Sequence, residues 1–351
     1  MYKLLNYGDF LSLKEAEKEM EYYSSRYHFD GYELIQFTEQ DYTSLEEKII
    51  GYHLRFFPSW MEFYKEDFFS LAQEYEEKKY WKSMCGGEHS KEELLDYYRR
   101  ELAIAEKLKV KYVVFHACNI KVRESVSYQF SYTDWEVLDQ VISIINTLFD
   151  EKEYSFQLLF ENLWWPGLKL NNKEKTKYLW DGIHYNRKGF ILDTGHMINC
   201  NWEIKNKKEA VEYIKKNLEI LGEYKNYIYG MHLNLSLSGE YVREAIRTHR
   251  NKNYSTEEIM KGIYQHIGNI DYHDAFDEES IVEVIQSLPL RYLVYEFIAY
   301  SKEELEAKIQ RQDKSLKKLF VQRKYLERKI GKILIPRSIK FWQKYMLSMG
   351  I

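Results

Sequence analysis

Hydrophobic positions fall into short continuous runs separated by longer stretches in which apolar residues recur at helical spacing. Lys3–Tyr7, Gly31–Phe37 and Ile49–Tyr52 read as the first three strands, and Lys111–Phe115, Gln157–Phe160, Phe190–Leu192, Tyr227–Met231 and Arg291–Tyr295 as five more. Helical periodicity between them predicts helices over about Leu13–Arg26, Lys91–Leu108, Trp135–Phe149, Lys208–Leu221 and Glu279–Gln286. The aromatic stretch up to Gly87 reads as helical excursions over one end of the domain. The segment between strand seven and Ile270 reads as an insertion. Strands alternating with helices pair in parallel through right-handed crossovers, and eight such units predict an α/β fold, a (β/α)8 TIM barrel. Function in such a barrel concentrates at the C-terminal ends of the strands.

Those ends carry an unusual set of side chains. His53, His116, Glu161, Asp193, His232 and Glu296 terminate strands three to eight, while His196 follows Asp193 across a Thr-Gly turn and Asp271 and His273 follow strand seven. One polar strand end is ordinary turn chemistry; six in succession is not. Mixed imidazole and carboxylate donors suit zinc, manganese or ferrous iron. Four carboxylates at one barrel mouth would repel each other without a cation. Nine donors exceed the needs of one ion, so two or three divalent ions sharing a bridging carboxylate are expected. Such a site can activate water and clamp both oxygens of a phosphoester, polarise a carbonyl, or, with iron, engage dioxygen.

Composition narrows the class. The 351 residues are 17% aromatic, with 32 Tyr, which excludes a predominantly disordered chain. Three cysteines, Cys85, Cys118 and Cys200, form no Cys-x-x-Cys pair and no disulfide framework. No apolar run reaches the roughly 18 residues of a membrane span, no signal peptide is evident, and a cytoplasmic location is expected. The net charge of −4 conceals an asymmetry: Lys308–Ile351 holds 13 Lys/Arg against Asp313 and Glu327, or +11, leaving about −15 on the rest. Two domains follow, a barrel over 1–310 and a basic amphipathic helical tail over 311–351, the latter suited to an anionic partner.

Phe115-His116, Phe160-Glu161-Asn162, Leu192-Asp193-Thr194-Gly195-His196, Met231-His232-Leu233-Asn234, Asp271-Tyr272-His273 and Tyr295-Glu296 resemble the xylose isomerase-like TIM-barrel superfamily, most closely its endonuclease IV branch. The resemblance covers roughly residues 1–310. It implies one metal held by His53, His116 and Glu161, a second by Glu161, Asp193, His232 and Glu296, and a third by His196, Asp271 and His273. Zinc is the metal it implies first, with manganese or iron as alternatives. Two departures stand out: Leu235 replaces the Asp that usually follows His-Leu-Asn, and the gap from His232 to Asp271 is long.

The resemblance implies hydrolysis of a phosphodiester or sugar-phosphate, including abasic nucleic acid, with Glu161 bridging and Glu161 and Glu296 as catalytic residues. Alternatives within the superfamily are a sugar isomerase or epimerase, in which Glu161 and Glu296 move a proton, and an iron-dependent oxidase of peptides or small molecules. Phe56 and Phe57 occupy the place of duplex-wedging residues in the endonucleases. Trp164 and Trp165 can stack on a sugar or base. Arg243, Arg247 and Arg250 can grip phosphate or carboxylate from the strand-seven insertion.

Overall fold

The computed structural model describes residues 1–320 apart from Arg250, Asn251 and Asn253. Eight parallel strands close into a barrel in sequence order: β1 (Tyr2–Gly8), β2 (Gly31–Ile35), β3 (Ile49–His53), β4 (Tyr112–His116), β5 (Gln157–Glu161), β6 (Lys188–Asp193), β7 (Ile228–Leu233) and β8 (Tyr292–Tyr295). Side chains alternate across a strand, so each strand serves two cores. Leu4, Ile50, Tyr112, Val114, Leu159, Ile191, Tyr292 and Val294 fill the barrel interior. Their neighbours, among them Val113, Phe115, Leu158, Phe160, Phe190, Leu192, Met231, Leu293 and Tyr295, pack outward in the large core beneath the helices.

This alternation explains how the mouth is furnished. Tyr112-Val114-His116, Leu159-Glu161, Ile191-Asp193 and Tyr292-Val294-Glu296 are same-face series, so an apolar interior floor is followed by a polar residue at the top. Register aligns the tops: His116 is paired with Glu161, and Asp193 with His232. Gly51 makes room for one wide floor residue, because a Cβ there would lie 2.3 Å from the Tyr112 ring.

The predicted helices are present, with ends moved by a residue or two: Leu13–Tyr27, Lys91–Lys107, Asp134–Phe149, Lys207–Leu221 and Ile281–Gln286. A further helix, Lys173–Gly182, lies between β5 and β6, capped by the Asn172 side chain on the Lys175 amide. Between β2 and β3 only a 3₁₀ turn, Tyr42–Leu45, replaces the helix of the repeat. The aromatic stretch to Gly87 contains three short helices, Trp60–Tyr64, Phe68–Glu74 and Trp81–Cys85.

The strand-seven insertion folds as two helices, Gly239–His249 and Thr256–Ile270, which form a cap over the mouth. Val242 and Ile270 of the cap share an apolar cluster with Cys118, Ile120, Leu163, Trp164 and Trp165 from the loops after β4 and β5. Polar contacts pin it to the helix Val122–Ser127, which follows β4. Arg123 donates to the carbonyl of Tyr254 and, at 3.0 Å, to Thr256 Oγ1, while His266 Nε2 meets the Ser125 carbonyl at 3.0 Å.

A final helix, Lys302–Ser315, spans the boundary expected between barrel and tail and packs on the barrel. Its Asp313 accepts from Lys3 Nζ at 2.6 Å and from Tyr295 Oη at 2.7 Å, and Gln312 donates to the Leu233 carbonyl at 3.2 Å, tying the helix to β1, β7 and β8. The rest of the expected basic tail, residues 321–351, lies outside the described residues. Among the described residues no helix is long and apolar enough to cross a membrane.

Candidate metal centre

All nine residues expected to bind metal meet in one buried cluster above the interior floor. Glu161, fully buried at the tip of β5, is its middle. Its Oε2 lies 3.0 Å from His53 Nε2 and 2.9 Å from His116 Nε2, and its Oε1 lies 3.1 Å from His232 Nδ1 and 3.2 Å from His196 Nδ1. His232 Nδ1 also stands 3.3 Å from Glu296 Oε2 and 4.0 Å from Asp193 Oδ2. On the far side, Asp271 Oδ2 is shared by His196 Nε2 at 3.0 Å and His273 Nε2 at 2.7 Å.

Local sequence chemistry sets these positions. Asp193 caps the helix Thr194–Asn199 by accepting the His196 amide at 2.6 Å, which turns the chain so that both side chains face inward. Gly195 is required there, since a Cβ would sit 2.0 Å from Asn234 Oδ1. Asn234 donates to Asp193 Oδ2 at 2.7 Å and to Glu296 Oε2 at 3.4 Å. Asn162 exchanges hydrogen bonds with the Asp193 backbone, and Ser236 Oγ donates to Asp271 Oδ1 at 3.2 Å. His273 takes a left-handed backbone conformation, φ 44°, immediately after the cap.

The donors fit divalent ions. Three mutually close groups reproduce most of the sets the sequence suggests: His53, His116 and Glu161; Glu161, Asp193, His232 and Glu296; and His196 and His273, with Asp193. A tetrahedral ion with bonds of roughly 2.0–2.1 Å holds its ligand atoms about 3.3 Å apart, close to the spacings above. His116 Nε2 faces the cluster.

Charge is strained in the same sense. Burial pushes the Glu161 carboxyl up, but the imidazoles of His116 and His232 outweigh it and hold the group well below its usual range. Glu296 is pushed up to about 8 by burial, reinforced by Asp193 and Glu161. Burial lowers His116 to about 4, with His53 and His196 adding to the effect. For His273, Asp271 and Glu296 overcome the opposing effect of burial and raise it to about 9. Carboxylates and imidazoles with such divided proton affinities are what a cation would relieve.

One member of the cluster escapes sequence reasoning. Glu33, fully buried in the middle of β2, lies 3.0 Å from His232 Nε2 and accepts from Tyr112 Oη at 2.7 Å. With His53 and His232 it forms a fourth group able to hold an ion.

The residues expected to touch substrate divide. A cleft of about 380 Å³ opens between the loops after β3 and β4 and the cap, with His53, His116 and Glu296 on its inner wall and Phe56 and Trp165 on its sides. Phe56 packs on the His116 ring at 4.9 Å, and Trp164 on His196 at 5.1 Å. Phe57 is turned away, buried against Tyr97 and Tyr98. Arg243 and Arg247 line a different, open depression on the cap with Tyr241 and Tyr272, and pair with Glu203 and Glu244. Arg250 lies outside the described residues.

Known structures share this architecture. A D-tagatose 3-epimerase-like protein superposes with a TM-score of 0.51 at 16% identity, over 95% of this chain and 100% of its own. Endonuclease IV from Thermus thermophilus superposes with a TM-score of 0.51 at 12% identity, over 91% of this chain and 100% of its own. No curated protein sequence matches the chain. The sequence model described as "Xylose isomerase-like TIM barrel" matches residues 42–289, and the chain belongs to that family.

Proposed function

We propose that the chain is a divalent-metal-dependent phosphoester hydrolase whose centre takes two or three ions around Glu161. The observation that carries this reading is the division of the Glu161 carboxylate: one oxygen faces His53 and His116, the other His232 and His196. A carboxylate so placed serves donor sets on both of its sides. Chemistry at a single ion would leave His53 and His116, or His196, Asp271 and His273, without employment.

The first ion would be held by His53, His116 and Glu161, the second by Glu161, Asp193, His232 and Glu296, and the third by His196, His273 and Asp271. Bound ions supply Lewis acidity toward a phosphoryl oxygen and toward water. The chain's own residues do the rest. Glu161 fixes the distance between donor sets, Asn234 holds Asp193 and Glu296 in one orientation, and the cap, packed against Trp164 and Trp165 of the loop after β5, keeps bulk water from the buried donors. Zinc is the ion this donor set fits first, with manganese and iron as alternatives.

The test is hydrolysis of a 4-nitrophenyl phosphodiester and of an abasic-site oligonucleotide by full-length protein loaded in turn with zinc, manganese and iron, alongside elemental analysis of protein purified without added metal. Protein that binds these ions yet cleaves neither compound is not a phosphoesterase.

A second reading, sugar isomerisation or epimerisation, draws on the placement of Glu161 and Glu296 at 3.1 and 3.3 Å from the same His232 nitrogen, with Glu296 bordering the cleft. Two carboxylates beside one carbon can remove and return its proton. This reading predicts solvent deuterium in a ketose product and activity that survives His53→Ala, whereas the hydrolase reading predicts loss on that substitution.

A further inference from the structure

We infer that the substrate is a small phosphoester bearing an aromatic or branched aliphatic group, which lies under the cap, and that base-paired nucleic acid is excluded. The inference rests on the phosphoester reading only for the identity of the anionic group; the apolar half is argued from the cleft itself.

The cleft is continuous with the metal-ligating cluster, so whatever fills it lies against the reacting atoms. Its volume of about 380 Å³ is that of a small-molecule site. Leu54, Phe56 and Trp165 form the barrel side, and Ile263, Tyr264 and Ile267 of the helix Thr256–Ile270 form the cap side. Tyr264 stands 75% exposed at the rim, an aromatic ring that packing does not account for. Trp165 is buried, and its ring closes one side of the cleft.

Charge argues in the same direction. A protein that grips duplex nucleic acid neutralises several phosphates with Lys and Arg. Among the described residues two cations border this cleft, Arg55 and Lys121. Lys121 is engaged with the buried carboxylate of Glu62 at 3.0 Å, and Arg55 lies over the rings of Phe37 and Phe57. The arginines of the cap's other helix, Arg243 and Arg247, face the separate depression. The cap itself stands where a duplex would have to approach, and it is tied down by Arg123 from the barrel side and by its own His266 on the Ser125 carbonyl.

The experiment compares equilibrium binding of phenylphosphonate, methylphosphonate and an abasic duplex of about 15 base pairs, long enough to offer several phosphates, to the metal-loaded full chain by calorimetry. Phosphonates have no ester bond to break, so binding is read whether or not the protein is a hydrolase. Phenylphosphonate is expected to bind at least about tenfold more tightly than methylphosphonate, the gain from burying part of one ring. Tyr264→Ala, at an exposed rim position, and Ile267→Ala are each expected to reduce that ratio severalfold while leaving methylphosphonate affinity and metal content unchanged. Equal affinities for the two phosphonates, a ratio insensitive to both substitutions, or duplex binding tighter than phenylphosphonate overturns the inference. A phenyl preference in a protein that hydrolyses no phosphodiester sinks the hydrolase reading and leaves the apolar subsite standing.

Discussion

Glu33 lies 3.0 Å from Nε2 of His232, while Nδ1 of the same ring faces Glu161 and Glu296. One nitrogen is thus turned to the floor and the other to the cluster. A carboxylate on the floor side orients the ring and keeps the proton on Nε2, so that the Nδ1 lone pair is available to an ion. Tyr112 holds Glu33 in place through a 2.7 Å hydrogen bond. Replacing Glu33 by Gln or Ala should weaken binding at the set containing His232 by about 10–100-fold, the usual loss when such a supporting partner is removed. Chelator competition on the folded variants measures this, and affinity equal to that of the parent protein would show that Glu33 does not support His232.

The shared carboxylate gives a prediction in metal stoichiometry. Glu161→Ala removes a donor from two sets, whereas His53→Ala removes one from the first set and His273→Ala one from the third. Elemental analysis after exhaustive dialysis should find a larger loss of bound ion in Glu161→Ala than in either histidine variant. Because the cluster is buried and rich in carboxylates, added zinc should also raise the thermal midpoint of the parent protein, by mass action on the folded state. Equal losses in all three variants would mean that Glu161 does not bridge.

Much of the barrel is legible in the sequence because its strands are short apolar runs, and a polar residue at the end of such a run has few roles other than the mouth. The nine donors follow from that pattern together with the family resemblance. Glu33 does not, because Tyr32-Glu33-Leu34 alternates as a half-exposed strand with its acid in solvent; only barrel closure reveals that this position points inward. The helix Lys173–Gly182 escapes the periodicity because its buried face amounts to Thr176 and Leu179 in a Lys-rich segment. Phe56 and Phe57 are adjacent, yet one borders the cleft and the other packs beneath the helix Lys91–Lys107, a difference that composition and spacing do not encode. Arg243 and Arg247 lie on the outer face of the helix Gly239–His249, while its Val242 turns inward toward Trp164 and Trp165, a division that no linear pattern specifies.

The cap's attachment predicts a mechanical phenotype. Arg123 joins the helix Val122–Ser127 to Tyr254 and Thr256, and Thr256 Oγ1 in turn donates to the Glu74 carbonyl at 2.9 Å. The cap helix Thr256–Ile270 leads directly into Asp271 and His273, so loosening it disturbs the third donor set as well as the cleft. Arg123→Ala should cost about 1–3 kcal/mol locally, from the loss of charge-assisted hydrogen bonds to part-buried acceptors. Hydrogen exchange should quicken across Thr256–Ile270 and stay unchanged in β4 and β5. Uniform acceleration over the barrel would mean that Arg123 supports the whole fold and not the cap in particular.

A last prediction concerns pH and a carboxylate outside the cluster around Glu161. Glu101, buried on the helix Lys91–Lys107, accepts from the Arg55 amide at 3.1 Å and lies 3.5 Å from Tyr52 Oη. Burial raises it from 4.5 to about 8, only partly offset by the Arg55 amide and nearby positive charge. A carboxyl whose folded pKa exceeds its unfolded value favours folding most when protonated in both states. Its contribution is complete below pH 4.5, falls as the pH rises from there to about 8, and is lost above that. Glu101→Gln keeps a carbonyl acceptor for the Arg55 amide and removes the charge. The variant should therefore match the parent protein near pH 4 and exceed it above pH 8 by on the order of 5 kcal/mol. Denaturant titrations across this range measure the difference, and a gap between the two proteins that does not widen with pH would show that Glu101 is not held protonated by its surroundings.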